Sequence, residues 1–86
     1  MPEISRFFGI IVAIFYNDHN PPHFHAKYGE HKALISIEDG GVLAGGLPNR
    51  ALNLVEEWRL LHISDLQDDW NLAAEHKPLR KIEPLE

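Results

Sequence analysis

The spacing of apolar and polar residues divides the chain into a strand-like first half and a helical second half. Residues 9–16 (GIIVAIFY) carry Ile11, Ala13 and Phe15 on one side of an extended chain and Ile10, Val12, Ile14 and Tyr16 on the other. A β-branched and aromatic run of this kind, followed by the turn-rich NDHNPP, predicts a strand covered on both faces. Segments 23–28 and 32–38 flank Gly29-Glu30, a two-residue loop with glycine first, as a type II′ turn requires. Asp39-Gly40 signals a type I′ turn into a short strand, 41–44. These turns set a register in which Tyr28 faces His31, Ala26 faces Ala33 and Phe24 faces Ile35. On the next strand Val42 would face Ile37 and Ala44 would face Ile35. One face then collects Phe24, Ala26, Tyr28, Ala33, Ile35, Ile37, Val42 and Ala44, a core pattern. The other carries His23, His25, Lys27, Lys32, Leu34, Ser36, Glu38 and Leu43.

After Gly45-Gly46 the period changes. Pro48 suits a first helical position, and Ala51, Leu54, Val55, Trp58 and Leu61 recur at three- and four-residue spacing. This predicts a helix over 48–62. Ser64-Asp65-Leu66-Gln67 has the form of a capping box and opens a second helix over 64–76, with the stripe Leu66, Trp70, Ala73 and Ala74. Residues 77–86 read as an extended tail from which Leu79, Ile82 and Leu85 can pack. The expected architecture is a single α+β domain, 1–86: an antiparallel three- to four-stranded β-meander packed on two C-terminal α-helices.

Length sharpens this picture. A chain of 86 residues buries only roughly 60–65% of its unfolded surface, so disulfides, a metal or a partner chain are common aids at this size. The chain has no cysteine, which excludes disulfides and thiolate metal sites and leaves histidine and carboxylate ligands, or self-association. Net charge is −5 and no run of basic residues exists, so duplex DNA is a poor partner; RNA is retained as a partner class. Residues 7–16 are apolar but too few to cross a bilayer, and no targeting signal precedes them. A cytoplasmic protein without membrane association is expected.

Chemistry concentrates in HNPPHFHAKYGEH, residues 19–31, which holds four of the six histidines. His23 and His25, two apart on one strand, point to the same face and can share one ion such as zinc or nickel. His19 completes the expected metal set, with Asp18, Glu30 or His31 as other third ligands. The same pair with Lys27 can also move protons and hold a phosphate, so His23, His25 and Lys27 form the candidate catalytic set; the plain alternative is that both histidines are hydrogen-bonding strand residues behind a turn stiffened by Pro21-Pro22. No other cofactor is indicated. The spacing His23, His25, Glu30 resembles the first cupin motif, but the chain is too short for that barrel and lacks its second motif. Gly45-Gly46 with Arg50 reads as a tight turn into a helix rather than an anion cradle. The second helix carries Asp65, Asp68, Asp69 and Glu75, which disfavours a DNA-recognition role. Trp58 and Trp70 read as core. Two helices cover one face of a sheet, so Leu34 and Leu43 on the other face are expected to form an interface, in a homodimer or with a small cognate protein.

The run DHNPPHFH, Asp18 to His25, resembles the hallmark of domain-of-unknown-function family 4160, a group of small bacterial proteins. Gly9 and Tyr16, the Glu57-Trp58 pair, His62, Leu66 and Trp70, and the closing IEPL also fit that pattern. The resemblance implies a protein partner and a toxin–antitoxin setting, and assigns no mechanism. The expected function is therefore an interaction module, one half of a toxin–antitoxin-like pair, with a histidine-rich surface site. The alternative is an enzyme, a His-dependent ribonuclease or a metal-assisted hydrolase, built on the same histidines.

Overall fold

Phe8 and Gly9 decide how the chain begins. Both take positive φ, 49° and 80°, as the two central residues of a type I′ turn do. The computed structural model, which describes residues 2–86, therefore opens with a hairpin instead of the single strand 9–16. Its arms are β1 (Glu3–Phe7) and β2 (Ile10–Ala13), with Phe7 opposite Ile10. A phenylalanine is a poor left-handed residue, so nothing in the sequence signalled this turn as Asn-Gly would have done.

The next hairpin follows expectation. β3 (His23–Tyr28) and β4 (His31–Ser36) pair antiparallel, with Tyr28 opposite His31, Ala26 opposite Ala33 and Phe24 opposite Ile35. Gly29 supplies the positive φ, 58°. β5 (Val42–Gly45) completes a five-stranded sheet in the order β1-β2-β3-β4-β5, one strand more than expected.

The β4–β5 connection departs from the two-residue turn. β4 ends at Ser36, whose N–H bonds to the Gly41 carbonyl, while the Gly40 N–H bonds to the Ser36 carbonyl. Asp39 Oδ1 accepts the Gly41 N–H at 2.7 Å, an Asx-type turn. The longer loop shifts the register, so Ile35 pairs with Val42 and Leu34 with Ala44, with a bulge between them. Leu43 is the extra residue of that bulge. Ala44 consequently joins Leu34 on the open face rather than Ile35 on the core face. Val42 stays on the core side but at the sheet's rim, 45% exposed.

Both helices lie C-terminal, α1 (Asn49–Leu61) and α2 (Ile63–Ala74). They bury Ala51, Val55, Trp58, Leu66, Trp70 and Ala73 against the sheet's Ile10, Val12, Phe24, Ala26, Ala33 and Ile35. Leu61 and Ala74, expected on the stripes, are exposed. One residue separates the helices. His62 therefore takes the N-cap position of α2, and Ser64 lies inside the first turn without capping it. The His62 ring bonds to Asp65 at 3.1 Å instead. Trp58 is fully buried, 5.3 Å from Phe7 and edge-on to Phe24 at 5.9 Å between ring centres. Its indole N–H donates to the Glu83 carbonyl at 2.8 Å. The tail is further tied by the Ile82 N–H to the Ile4 carbonyl, and Ile82 and Leu85 are buried. No helix among the described residues is long and apolar enough to cross a membrane.

Candidate metal centre

The loop 14–22 returns the chain from β2 to the start of β3. Its N-terminal end is held by the Ile14 N–H on the Pro2 carbonyl, and its C-terminal end by the Ile37 N–H on the Pro22 carbonyl. Between these anchors, Asp18 comes to lie beside the first residues of β3. The Asn20–Pro21 peptide in this loop is cis.

Three side chains converge there. Asp18 Oδ2 lies 2.9 Å from His25 Nε2 and 3.3 Å from His23 Nε2. One ligand atom from each of the three falls within 4.8 Å of the others. The two histidines share a strand face, but they differ in setting. His23 is buried, 6% exposed, under the Trp70 ring of α2 at 5.2 Å. His25 is half-buried and lies against Phe15, ring centres 4.1 Å apart.

The His23 ring is locked in orientation. Its Nδ1 sits 2.8 Å from the Pro21 carbonyl oxygen, which only accepts, so Nδ1 carries a hydrogen. In the neutral ring Nε2 then presents a lone pair. That nitrogen is buried with no hydrogen-bond partner, 3.3 Å from a carboxylate oxygen. An unpartnered buried acceptor is costly, and two acceptors this close repel. A cation between them removes both problems. A backbone carbonyl that fixes the second ring nitrogen is also the usual support behind a metal-ligating histidine.

The other candidate residues fall around this cluster. His19 is exposed and outside it, and Asp18 stands where the third ligand was expected. Glu30 and His31 belong to the far end of the hairpin, since His31 pairs with Tyr28. Lys27 is exposed, on the same face as His25 and two residues along. Leu34 pairs with His25 and is half-buried, and Leu43 is 47% exposed.

Two charged residues that pattern reading does not place in the core are buried: Arg59 is passed over by it, and Asp69 reads as part of the acidic face of the second helix. Arg59, 3% exposed, donates from Nη1 to the Ile37 carbonyl at 2.8 Å and from Nε and Nη2 to Glu56. The Glu56 hydrogen bonds hold the guanidinium above its ordinary range, and Arg59 holds the Glu56 carboxyl below its own. Asp69, 1% exposed, accepts the Arg80 N–H at 2.9 Å through Oδ1, while Oδ2 has no partner. Burial raises its carboxyl above the usual range. Both sit on the buried side of helices, where a polar residue gives no periodic signal.

An antiparallel meander with an Asp-His-His cluster at the root of its third strand defines the class: a small α+β protein with an Asp/His triad whose side-chain N and O atoms gather within 4.8 Å of one another. Within that class, the family model described as Domain of unknown function (DUF4160) matches residues 9–71, most of the chain, and the protein belongs to this family. Asp18, His23 and His25 all lie inside the matched segment. No curated protein and no solved structure gives a significant match.

Proposed function

We propose that this protein is a metal-dependent module in which Asp18, His23 and His25 hold a divalent transition ion, zinc or nickel. The observation that carries the proposal is the buried His23 Nε2, left without a hydrogen-bond partner 3.3 Å from Asp18 Oδ2. The spacing of the donors supports it. With metal–ligand distances of about 2.0–2.2 Å, neighbouring donors lie about 3.3 Å apart in a tetrahedral shell and about 3 Å apart in an octahedral one. The observed separations from Asp18 Oδ2 are 3.3 and 2.9 Å. Two histidines and one carboxylate leave at least one coordination position open, the pattern of catalytic rather than closed structural sites. An ion there would polarise a bound ligand or lower the proton affinity of a bound water, which favours a metal-assisted hydrolase over a metal-free ribonuclease. Trp70 packs on the buried His23 ring, and Phe15 packs on the half-buried His25 ring.

Calorimetric titration of tag-free protein with zinc and nickel tests this. One ion per chain is expected, tighter than about micromolar, roughly −8 kcal/mol. The heat should vanish in His23→Ala/His25→Ala. Because His23 is buried, Asp18→Asn serves as a second variant that keeps the fold and still weakens binding. Absence of heat in the natural protein sinks the proposal, and the cluster is then a hydrogen-bonded Asp–His pair.

A second reading rests on a different observation. The sheet face away from the helices partly exposes Ile11, Phe15 and Leu34, and Leu43 stands exposed in the β5 bulge at its border. Contiguous apolar surface of this kind marks a contact. It supports an interaction module, with a second copy of the chain docked through Leu34 and Leu43; a small cognate protein of a toxin–antitoxin-like pair is the competing occupant. The two readings share Phe15 and are otherwise built on different residues.

A further inference from the structure

Across β2 and β3 and the start of β4, directly beside the Asp18–His23–His25 cluster, the open sheet face holds a cleft. It is lined by Ile11, Ala13, Phe15, His25, Lys27 and Lys32, and its volume is about 140 Å³. Lys27 and Lys32 are paired across the hairpin, and Lys27 also pairs with Ile11 on the other side. Like charges placed directly opposite one another destabilise a sheet. Among the described residues neither lysine has a carboxylate partner; Arg50, Arg80 and Lys81 have none either, but Lys27 and Lys32 alone of these are directly paired across two strands. In a chain of net charge −5, two adjacent uncompensated cations at the mouth of a cleft call for an anion.

We propose that this cleft binds a small phosphate monoester, its phosphoryl group against Lys27 and Lys32 and its organic body over Ile11 and Phe15. Several features select this class. Two ammonium groups match a doubly charged phosphoryl group better than a singly charged carboxylate. The floor is apolar and one wall is aromatic, which suits an organic body over a bare inorganic ion. A cavity of about 150 Å³ holds one benzene-sized ring, so the body is a single ring or a short chain rather than a polymer. His25 belongs to both the cleft and the metal cluster. Residues two apart on a strand lie about 7 Å from one another, so the phosphoryl group at Lys27 reaches toward the ion. The inference rests on the metal reading in that respect, since the ion would add positive charge to the same anion.

The test uses phenyl phosphate and inorganic phosphate as probes, by calorimetry, on zinc-free protein and on zinc-loaded protein freed of excess zinc. Phenyl phosphate is expected to bind saturably and more tightly than inorganic phosphate. In Lys27→Gln/Lys32→Gln its affinity should fall about tenfold or more, the loss typical of removed charge-assisted hydrogen bonds. Zinc affinity in that variant should stay within about twofold, as expected for groups outside the shell. No saturable binding to the natural protein, or equal binding to the lysine variant, overturns the inference. Zinc binding without phenyl phosphate binding retires the cleft and leaves the metal centre standing. Lysine-dependent binding to protein that takes up no zinc does the reverse.

Discussion

His23 and His25 are the same residue type, two apart, on one strand face, yet they have different parts. His23 is sealed beneath Trp70 with its ring tied to the Pro21 carbonyl, and His25 opens onto the cleft. Their shared direction was legible from strand alternation. Their difference was not, because the cover over His23 comes from a helix some forty residues away. Asp69 makes the same point with a measurable consequence. Burial raises its carboxyl, so the folded protein keeps that proton to higher pH than the unfolded chain does. Its contribution to stability is therefore fully present below the ordinary value of 3.8 and is lost as pH rises through the folded value. Asp69→Asn keeps an oxygen for the Arg80 N–H and removes the charge. Compared by urea unfolding, the variant is expected to match the natural protein near pH 3 and to exceed it at pH 7, by on the order of 1 kcal/mol. A stability difference that is the same at both pH values contradicts this account.

At the scale of elements, turns decided more than propensities. Gly29 gave a readable hairpin signal, and the β3–β4 register agreed residue for residue. Phe8 gave none, which concealed β1, and the loop after Ser36 replaced the expected Asp39-Gly40 turn. The resulting bulge moved Ala44 to the open face. Gly45, at the end of β5, has φ of +71°, and a Cβ there would strike the Lys32 backbone carbonyl. Gly45→Ala combines backbone strain with that clash, and about 1–3 kcal/mol of stability should be lost. The urea midpoint should drop with the slope unchanged; an unchanged midpoint would show that β5 shifts freely at its edge. Helix stripes were legible at Ala51, Val55, Trp58, Leu66, Trp70 and Ala73. The supposed capping box failed because a one-residue joint places His62, not Ser64, at the start of α2.

For the whole molecule, the question is what becomes of the open sheet face. α1, α2 and the tail cover one side of the sheet, with Trp58 joining strands, helix and the Glu83 carbonyl. Ile11 and Leu34 lie on the other, and Leu43 is exposed in the bulge of β5 at its border. Light scattering after size exclusion, over a wide concentration range, reads out the dimer. The natural protein is expected to move toward twice the monomer mass as concentration rises, and Leu43→Glu to remain monomeric. A monomer mass independent of concentration removes the second copy as the occupant and leaves the cognate protein. The metal reading is independent of this outcome, because Asp18, His23 and His25 all come from one chain.

The linear pattern by itself determined what depends on neighbours in sequence. Period-two and period-3.6 spacing marked the β3–β4 hairpin and both helices. Absence of cysteine directed metal chemistry to histidine and carboxylate, and strand alternation put His23 and His25 on one side. Tertiary structure decided what depends on where distant segments meet. It chose Asp18 over His19 as the third member of the cluster, because the loop between Ile14 and Pro22 is pinned to Pro2 and Ile37. It buried His23, Arg59 and Asp69, and it brought Phe15 beside the Lys27–Lys32 pair that the hairpin register had already set. Periodicity reports which face a residue occupies; long-range packing alone reports what covers that face and which polar atoms it leaves without a partner.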